Sequence, residues 1–419
     1  MRLALVSSVL ALASFCSAAA VSTPVPKQDF AAYIPNWTDR DYTSINFSNI
    51  NQVIYAFFQV ASNGTVLSTD SSADANLIPV LNGQLRKKYG FKTLASIGGW
   101  TASTYFSNAF NDTNRQAFVN SAYDVLIKQL GFDGIDIDWE YPNNYGAGCN
   151  VISPDDYSNF NKTLVLLRQK IGSSHPITAA IGATASTYSD GSGKNWIPVY
   201  ANTLDKINIM TYDYNGNWNP YTDYNTPLYS DASSPNGDVS INQTVTTFVK
   251  QLGIPASKLR LGLEFNGHSI ALGAPVKGDG VFQLCLPQVD PNNPQACPPI
   301  QGDKYDTPAP DPCTGVPTVS GDWSYRGLRE QGVLVSKSKA QKPWVRTWHG
   351  GKIQAPTLVN TNTSVFITYD DTKSIQQKVK FAKQWNLGVF AWELSEDYYD
   401  AAAGIHGELI TAAVAEFRK

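Results

Sequence analysis

The chain has 419 residues, of which 42% are hydrophobic, and a formal net charge of −3 at pH 7. Because charges of both signs are interspersed and form no basic stripe, we expect neither nucleic acid nor an anionic membrane as a partner. Aromatic residues make up 12% of the chain and charged residues only 16%, a composition that favours ligands with apolar faces, such as sugar rings.

The N-terminus has the pattern of a secretory signal. Arg2 precedes the apolar run Leu3–Phe15, and small residues follow, which is the order found in cleaved export signals. The run is too short to cross a bilayer, and no later stretch reaches the roughly 18 apolar residues of a membrane helix. We therefore expect residues 1–20 to be a signal peptide and residues 21–419 to be secreted and extracellular.

Four cysteines remain after Cys16 leaves with the signal: Cys149, Cys285, Cys297 and Cys313. An even number in an exported protein predicts two disulfide bonds, and three connectivities are possible. Because three of the four lie in one stretch, we expect one bridge within that stretch.

Seven N-x-S/T sequons are typical of a secreted glycoprotein. We expect the first to be unused, because it lies among residues predicted near the functional site. The sequons are at Asn36, Asn46, Asn63, Asn111, Asn161, Asn242 and Asn362.

Eight short β-branched runs recur along the chain, each followed by a helical stretch or a loop. They are Tyr33–Ile34, Val53–Phe58, Thr93–Ile97, Gly134–Asp138, Ile177–Ile181, Ile207–Thr211, Leu259–Leu263 and Leu387–Trp392. Eight such units with no linker and no sequence repeat predict one large α/β domain, a (β/α)8 TIM barrel.

Two helix starts are recognisable by their capping residues. Thr113 and Gln116 form a capping-box pattern before an apolar stripe, and Ser153 with Pro154 and Asp156 predicts the start of the next helix.

A long segment, about 271–357, separates the seventh and eighth runs, and its middle (287–317) is rich in Pro, Asp and Gly. A segment of this length in a compact domain usually has its own structure or a function. Its Pro-rich centre is unlike a compact α+β module, so we predict an insertion that forms one wall of a groove.

The segment Asp133–Glu140 carries the strongest functional signal. Asp136, Asp138 and Glu140 alternate with apolar residues, so their carboxyls share one face of a strand, roughly 6–7 Å apart. Three buried carboxylates cannot all ionise easily, so at least one pKa is raised and a proton donor exists at neutral pH. Pro142 ends the strand and leaves Glu140 at its C-terminal rim, the catalytic face of a parallel barrel.

Two other interpretations of this segment are weaker. A solvated acidic strand does not fit the interleaved Ile135, Ile137 and Trp139, and a calcium loop would carry polar residues and a central Gly instead. The four histidines show no zinc-binding spacing. We therefore expect no metal and no cofactor.

Four ordered motifs resemble glycoside hydrolase family 18, the chitinase family, over nearly the whole mature chain. The matching residues are Asp133, Asp136, Asp138 and Glu140 (DxxDxDxE), Ser96–Gly99 followed by Trp100 (SxGG), Met210–Asp213 (MxYD) and Trp392 on the last strand. The resemblance implies a barrel and substrate-assisted hydrolysis, in which the sugar's own acetamido group attacks the anomeric carbon.

The resemblance also implies roles for individual residues. Glu140 would protonate the glycosidic oxygen, Asp138 would hold the acetamido N–H, and Asp136 would share a proton with Asp138. Tyr212 would donate to the attacking carbonyl, and Trp392 would form the floor under the distorted ring. Further substrate contacts would come from Tyr33, Phe57, Trp100, Tyr141, Met210, Asp213 and Trp218, and Trp37 also matches a family position.

One segment departs from the family pattern. Gly262–His268 lacks the Tyr before the Gly and the Arg after it that such chitinases usually have, so the resemblance assigns no subsite contacts there. We expect a secreted, monomeric chitinase acting on chitin or N-acetylglucosamine oligosaccharides. An endo-β-N-acetylglucosaminidase acting on N-glycans is an alternative, and so is a non-hydrolytic chitinase-like lectin, although this chain retains the acid that such lectins typically replace.

Overall fold

The eight predicted runs form eight parallel strands that close into a barrel. The computed structural model describes residues 29–285 and 296–419. The barrel strands are β1 (Phe30–Pro35), β2 (Gln52–Val60), β3 (Lys92–Gly98), β4 (Gly134–Asp138), β5 (Ile177–Gly182), β6 (Lys206–Met210), β7 (Leu259–Glu264) and β8 (Gly388–Trp392). Each pairs in parallel with the next, and β8 pairs with β1 to close the ring. The predicted TIM barrel is confirmed; the predicted signal peptide lies outside the described residues.

Helices and turns connect the strands and bury apolar stripes against the outer face of the barrel. The α-helices are Ser71–Pro79, Arg86–Tyr89, Phe106–Phe110, Arg115–Ala122, Asp156–Ile171, Ile197–Ala201, Ile241–Thr246, Tyr325–Glu330, Thr372–Gln384 and Glu408–Arg418. The π-helical segments are Val80–Leu85, Tyr123–Gln129 and Thr247–Gln251, and the 3-10 turns are Tyr42–Ser44, Ala185–Tyr188, Ala256–Lys258 and Leu394–Glu396. No helix among the described residues is long and apolar enough to span a bilayer.

One predicted helix start is wrong in detail. The helix Arg115–Ala122 has Asn114 as its N-cap residue and no side-chain cap. The side chain of Asn111 instead accepts hydrogen bonds from the backbone N–H groups of Thr113 (3.0 Å) and Asn114 (2.9 Å). An Asn side chain competes well for nearby N–H groups, so this turn replaces the Thr113 capping box.

Strand β4 separates apolar from acidic side chains as its alternation predicts. Ile135, Ile137 and Trp139 belong to the core between barrel and helices, and Trp139 packs against the ring of Phe106 at 5.2 Å. The alternate carboxyls of the strand therefore project into the barrel interior.

Strand β2 breaks its alternation close to the C-terminal end. Its register against β3 shifts between Tyr55 and Phe58, and both Ala56 and Phe57 belong to the inner cluster of the barrel. A bulge re-aims a side chain in this way, so the ring of Phe57 lies over the barrel mouth.

An antiparallel sheet lies between β7 and β8. Its strands, in spatial order, are Asp322–Ser324, Asn266–Ala271, Val365–Thr368, Ala355–Asn360 and Trp344–His349. The sheet extends beyond both predicted limits of the insertion, because its first strand follows β7 after a single residue. It is also more regular than its composition indicates: of the Pro-rich centre, the described residues 296–317 form connections and part of one two-residue strand pair, and residues 286–295 are outside the described range. Short two-residue and three-residue strand pairs complete the fold: Val66–Ser68 against β2, Ala309–Pro310 with Pro317–Thr318, Leu334–Ser336 with Lys339–Ala340, and Tyr399–Asp400 with Ile405–His406.

Two disulfide bonds pair the four predicted cysteines. Cys285–Cys297 lies within the segment between β7 and β8, as expected, and Cys149–Cys313 joins that segment to the loop after β4. The loop that follows the acidic strand is thus covalently tied to the insertion.

Candidate active site

Asp136 lies in the barrel interior and is surrounded by hydrogen-bond donors. It accepts hydrogen bonds from Tyr33 Oη (2.9 Å), Ser96 Oγ (2.7 Å), Thr178 Oγ1 and Asn208 Nδ2 (3.5 Å). Burial raises the pKa of Asp136, while hydrogen bonds from Thr178, Ser96 and Tyr33 oppose that shift. The donors from four other strands therefore favour the charged form of this carboxyl.

Asp138 and Glu140 have fewer hydrogen-bond donors around their carboxyls than Asp136 has. Asp138 Oδ1 is buried and accepts no hydrogen bond from any group of the described residues. Burial, with the charges of Glu140 and Asp136, raises the pKa of Asp138 well above its ordinary value. Burial also raises the pKa of Glu140 to about 7. Both carboxyls therefore hold protons to higher pH than exposed carboxyls do.

The backbone around Glu140 is fixed by two polar side chains. Ser103 Oγ accepts a hydrogen bond from the Glu140 N–H at 3.1 Å and donates to the carbonyl of Gly99 at 2.8 Å. Asn150 Nδ2 donates to the Glu140 carbonyl at 2.7 Å. Such contacts hold a catalytic side chain in one orientation.

Aromatic rings form the floor of the barrel mouth. The ring of Trp392 lies 5.7 Å from that of Phe57, nearly parallel to it, and 5.4 Å from that of Tyr33. Tyr212 and Met210 pack into the same cluster. These five predicted residues are therefore brought together beside the carboxyls, where an apolar floor can hold a sugar ring.

The floor extends outward through Trp37, whose ring stacks on Phe57 at 5.8 Å and is 56% exposed. Trp100 is 51% exposed and makes no ring contact with any described aromatic residue. Tyr141 packs edge-on against Tyr188 at 6.1 Å. Among the described residues, Trp100 and Tyr141 therefore lack the ring contacts that join the floor residues.

The SxGG motif makes close contacts possible between strand ends. Gly98 has φ +113°, and a Cβ there would lie 2.0 Å from the backbone oxygen of Asp138. Gly99 has φ +85°, and a Cβ there would lie 2.5 Å from the Phe57 ring. Both positions need a residue without a side chain.

Asp213 is held by a residue that sequence reasoning did not assign to the site. His268 Nε2 lies 2.7 Å from Asp213 Oδ1, and His268 Nδ1 lies 2.8 Å from Asp322 Oδ1. The ring of Trp218 packs edge-on against His268 at 5.1 Å. Asp213 and Trp218 are therefore brought together, through His268, on one side of the mouth.

Asp213, Glu264 and His268 each place one ligand-type atom within 4.8 Å of the others, a spacing that could hold a cation. A metal would need a free lone pair on the imidazole. Both ring nitrogens of His268 instead face carboxylate oxygens. We therefore interpret this group as a hydrogen-bonded ion pair.

Two of the residues missed by sequence reasoning share one signal. Thr178 and Asn208 are polar residues that interrupt apolar runs on β5 and β6, where an inward position in a barrel needs a partner. Ser103 and Asn150 lie in loops, where no periodicity marks them. His268 was noted only as a departure from the family pattern.

Comparison with known proteins identifies the family. A sequence profile named Glycosyl hydrolases family 18 matches residues 29–397. The chain belongs to this family. A chitinase-like effector from Moniliophthora roreri is 31% identical over 379 residues, covering 88% of this chain and 89% of the relative. Chitinase A1 from Niallia circulans is 32% identical over 340 residues, covering 77% of this chain and 43% of the relative.

The barrel of this family 18 protein also resembles solved structures. A chitinase from Rhizomucor miehei superposes with a TM-score of 0.78 at 28% sequence identity, covering 94% of this chain and all of that one. The similarity spans the barrel together with the sheet between β7 and β8.

Proposed function

We propose that the protein is a secreted chitinase that hydrolyses β-1,4 linkages between N-acetylglucosamine residues with retention of configuration. The observation that carries the proposal is a half-buried carboxyl with a pKa of about 7, Glu140, at the same end of the barrel as an aromatic floor centred on Trp392. An acid with a pKa near the working pH is suited to proton transfer. The family relationship supports hydrolase chemistry at this position.

In the proposed reaction Glu140 protonates the oxygen of the scissile bond. The carbonyl oxygen of the substrate's acetamido group attacks the anomeric carbon, and an oxazolinium ion forms as the bond breaks. The unpartnered Oδ1 of Asp138 supports this role, because it needs a donor such as the acetamido N–H. Water, deprotonated by Glu140, then opens the ion, and the first product is the β-anomer.

Secretion is part of the proposal. Two disulfide bonds support an oxidising compartment, and exposed sequons at Asn46, Asn63 and Asn362 are accessible to glycosylation. Asn36, in contrast, is buried and donates hydrogen bonds to Thr69 and Asp74. We expect that site to remain unmodified.

A second candidate is a protein that binds chitin oligomers without cutting them. It is favoured by the name of two relatives, chitinase-like effector, from Moniliophthora roreri and Moniliophthora perniciosa. Retention of Glu140 and Asp138 in the barrel favours hydrolysis. Product formation distinguishes the two candidates.

The test is a time course of products from N-acetylglucosamine oligomers, with anomers resolved. We expect β-anomers first, no cleavage of fully deacetylated polymer or of cellulose, and at least a 10²-fold loss of rate in Glu140→Gln. Glu416→Gln, on the C-terminal helix, is the matched control and should keep full activity.

Binding of oligomers without any product would establish the second candidate; cleavage of N-glycan cores alone would indicate an endo-β-N-acetylglucosaminidase. An initial α-anomer would exclude the retaining mechanism.

A further inference from the structure

His268 lies at the start of the sheet between β7 and β8, with 10% of its side chain exposed. Asp213 reaches it from the loop after β6, and Asp322 from the neighbouring strand Asp322–Ser324. Glu264, at the end of β7, is the third ionisable group that faces the ring, 4.0 Å from Nε2. The imidazole is thus enclosed by three carboxyls from three segments.

The two short contacts determine the protonation state of the ring. A neutral imidazole donates from one nitrogen only, and its other nitrogen would direct a lone pair at a carboxylate. With carboxylate oxygens at 2.7 and 2.8 Å, both nitrogens of His268 must donate. Burial alone would lower the pKa of His268, but its hydrogen bonds to Asp213 and Asp322 raise that pKa well above its ordinary value.

Glu264 is the weakest anionic partner of the ring. Burial, with the charge of Asp213, raises the pKa of Glu264 well above its ordinary value, and Asn225 donates a hydrogen bond to its second oxygen. The two carboxyls in hydrogen-bond contact with the ring are therefore those of Asp213 and Asp322.

Asp213 connects this pair to the acid. Its side chain is 51% exposed at the barrel mouth, and its negative charge contributes to the raised pKa of Glu140. Its backbone has φ +55°, which an Asp adopts in tight turns. The contact with His268 fixes Oδ1 of this carboxylate.

We propose that His268, doubly protonated between Asp213 and Asp322, is a positioning residue that holds Asp213 against the sugar next to Glu140, so that oligosaccharide binding weakens when the imidazole deprotonates at alkaline pH. This inference rests on the proposed function for its ligand. Oligosaccharide affinity in this chain would therefore fall at alkaline pH, whereas a permanently charged residue in place of His268 would keep the affinity constant.

The first measurement is independent of activity. Imidazole resonances of the full-length protein, labelled in its four histidines and dialysed against a chelator, are followed by NMR from pH 5 to pH 10. The His268 signal, assigned by its loss in His268→Gln, should stay in the doubly protonated form well above pH 6.5. Titration of that signal near pH 6.5, or a neutral tautomer at pH 6, would overturn the proposal.

The second measurement is the dissociation constant of N-acetylglucosamine hexamer in the Glu140→Gln background, where Glu140 cannot titrate and no substrate is consumed. We expect the constant to rise about tenfold at alkaline pH, because a charge-assisted hydrogen bond is lost. The added variant His268→Arg should keep tight binding at every pH. Asp322→Asn should move the rise to lower pH because the imidazolium loses one anionic partner.

The outcomes separate this proposal from the proposed function. Wild-type protein that cleaves oligomers while the hexamer binds equally at pH 6 and pH 10 overturns the role of His268 alone. An equal alkaline loss in His268→Arg also overturns it and points to another titrating group such as Asp138. Failure of wild-type and variant proteins to bind or cleave the oligomer overturns both.

Discussion

Glu140 carries its proton at neutral pH because its surroundings penalise the charged form. Burial raises its pKa to about 7, so the acid is available below that pH and is lost above it. We predict that kcat/KM falls about tenfold per pH unit above pH 7, since the free enzyme must hold the proton. A pH profile from 5 to 9 on a soluble oligomer checks this, with activity re-measured at pH 6 after each incubation as the control for unfolding. A flat profile to pH 9 would contradict the assignment.

The same burial makes the ionised form of Glu140 destabilise the folded protein. The carboxyl has an ordinary pKa of 4.5 when exposed and about 7 in the fold. The folded state therefore bears no ionisation cost below pH 4.5, and the cost grows as the pH rises to about 7 and then stays constant. We predict that Glu140→Gln stabilises the protein on the order of 2 kcal/mol at pH 8 and hardly at all at pH 4.5.

Thermal unfolding of both proteins at the two pH values measures this difference. The control Glu416→Gln changes the same functional group on the C-terminal helix and should show no gain that grows with pH. Equal melting temperatures of Glu140→Gln and wild type at pH 8 would show that the acid is solvated in solution.

Gly98, at the junction between β3 and β4, excludes a side chain for two separate reasons. At Gly98 a side chain would meet both an unfavourable φ of +113° and the backbone oxygen of Asp138 at 2.0 Å. At Gly90 the φ is +73° and nothing lies within 4 Å of the added Cβ. The second position therefore measures the backbone cost alone, about 1–2 kcal/mol.

We predict that Gly98→Ala lowers the free energy of unfolding by several kcal/mol more than Gly90→Ala, because the clash is with backbone that cannot rotate away. Denaturant titrations of the two variants, read by tryptophan fluorescence, give the comparison. Similar losses in both would mean that the strand ends separate easily, contrary to the tight packing of this junction.

Strand positions were predictable from the sequence because one buried face imposes a period of two. Periodicity alone did not predict that Phe57 faces the barrel interior, because the register shift in β2 breaks the period of two; only the family resemblance assigned Phe57 to the site. The predicted Thr113 capping box is wrong because Asn111, two residues earlier, accepts hydrogen bonds from the backbone N–H groups of Thr113 and Asn114. The partners of His268 are distant in sequence, and only the folded sheet brings Asp213 and Asp322 to opposite sides of the ring.

The two disulfide bonds constrain the whole molecule unequally. Cys149–Cys313 spans 164 residues and Cys285–Cys297 only 12. In the chain-entropy model the longer loop contributes about 5 kcal/mol and the shorter about 3 kcal/mol. We predict that the double serine variant of Cys149 and Cys313 loses more thermal stability than that of the other pair, measured by calorimetry at one scan rate. Larger destabilisation from the shorter bridge would contradict this order, and wild type should show no free thiol when denatured without reductant.

The pairing of β1 with β8 makes barrel closure a late event of synthesis. The first and last strands of the barrel are hydrogen-bonded neighbours, so the growing chain presents one open edge on β1 until Gly388–Trp392 has been made. Open edges pair with other extended chains, and such intermediates aggregate. A nonsense mutation anywhere before β8 would therefore produce insoluble protein and not a smaller working barrel. The nascent chain needs protection of the β1 edge until β8 has been synthesised.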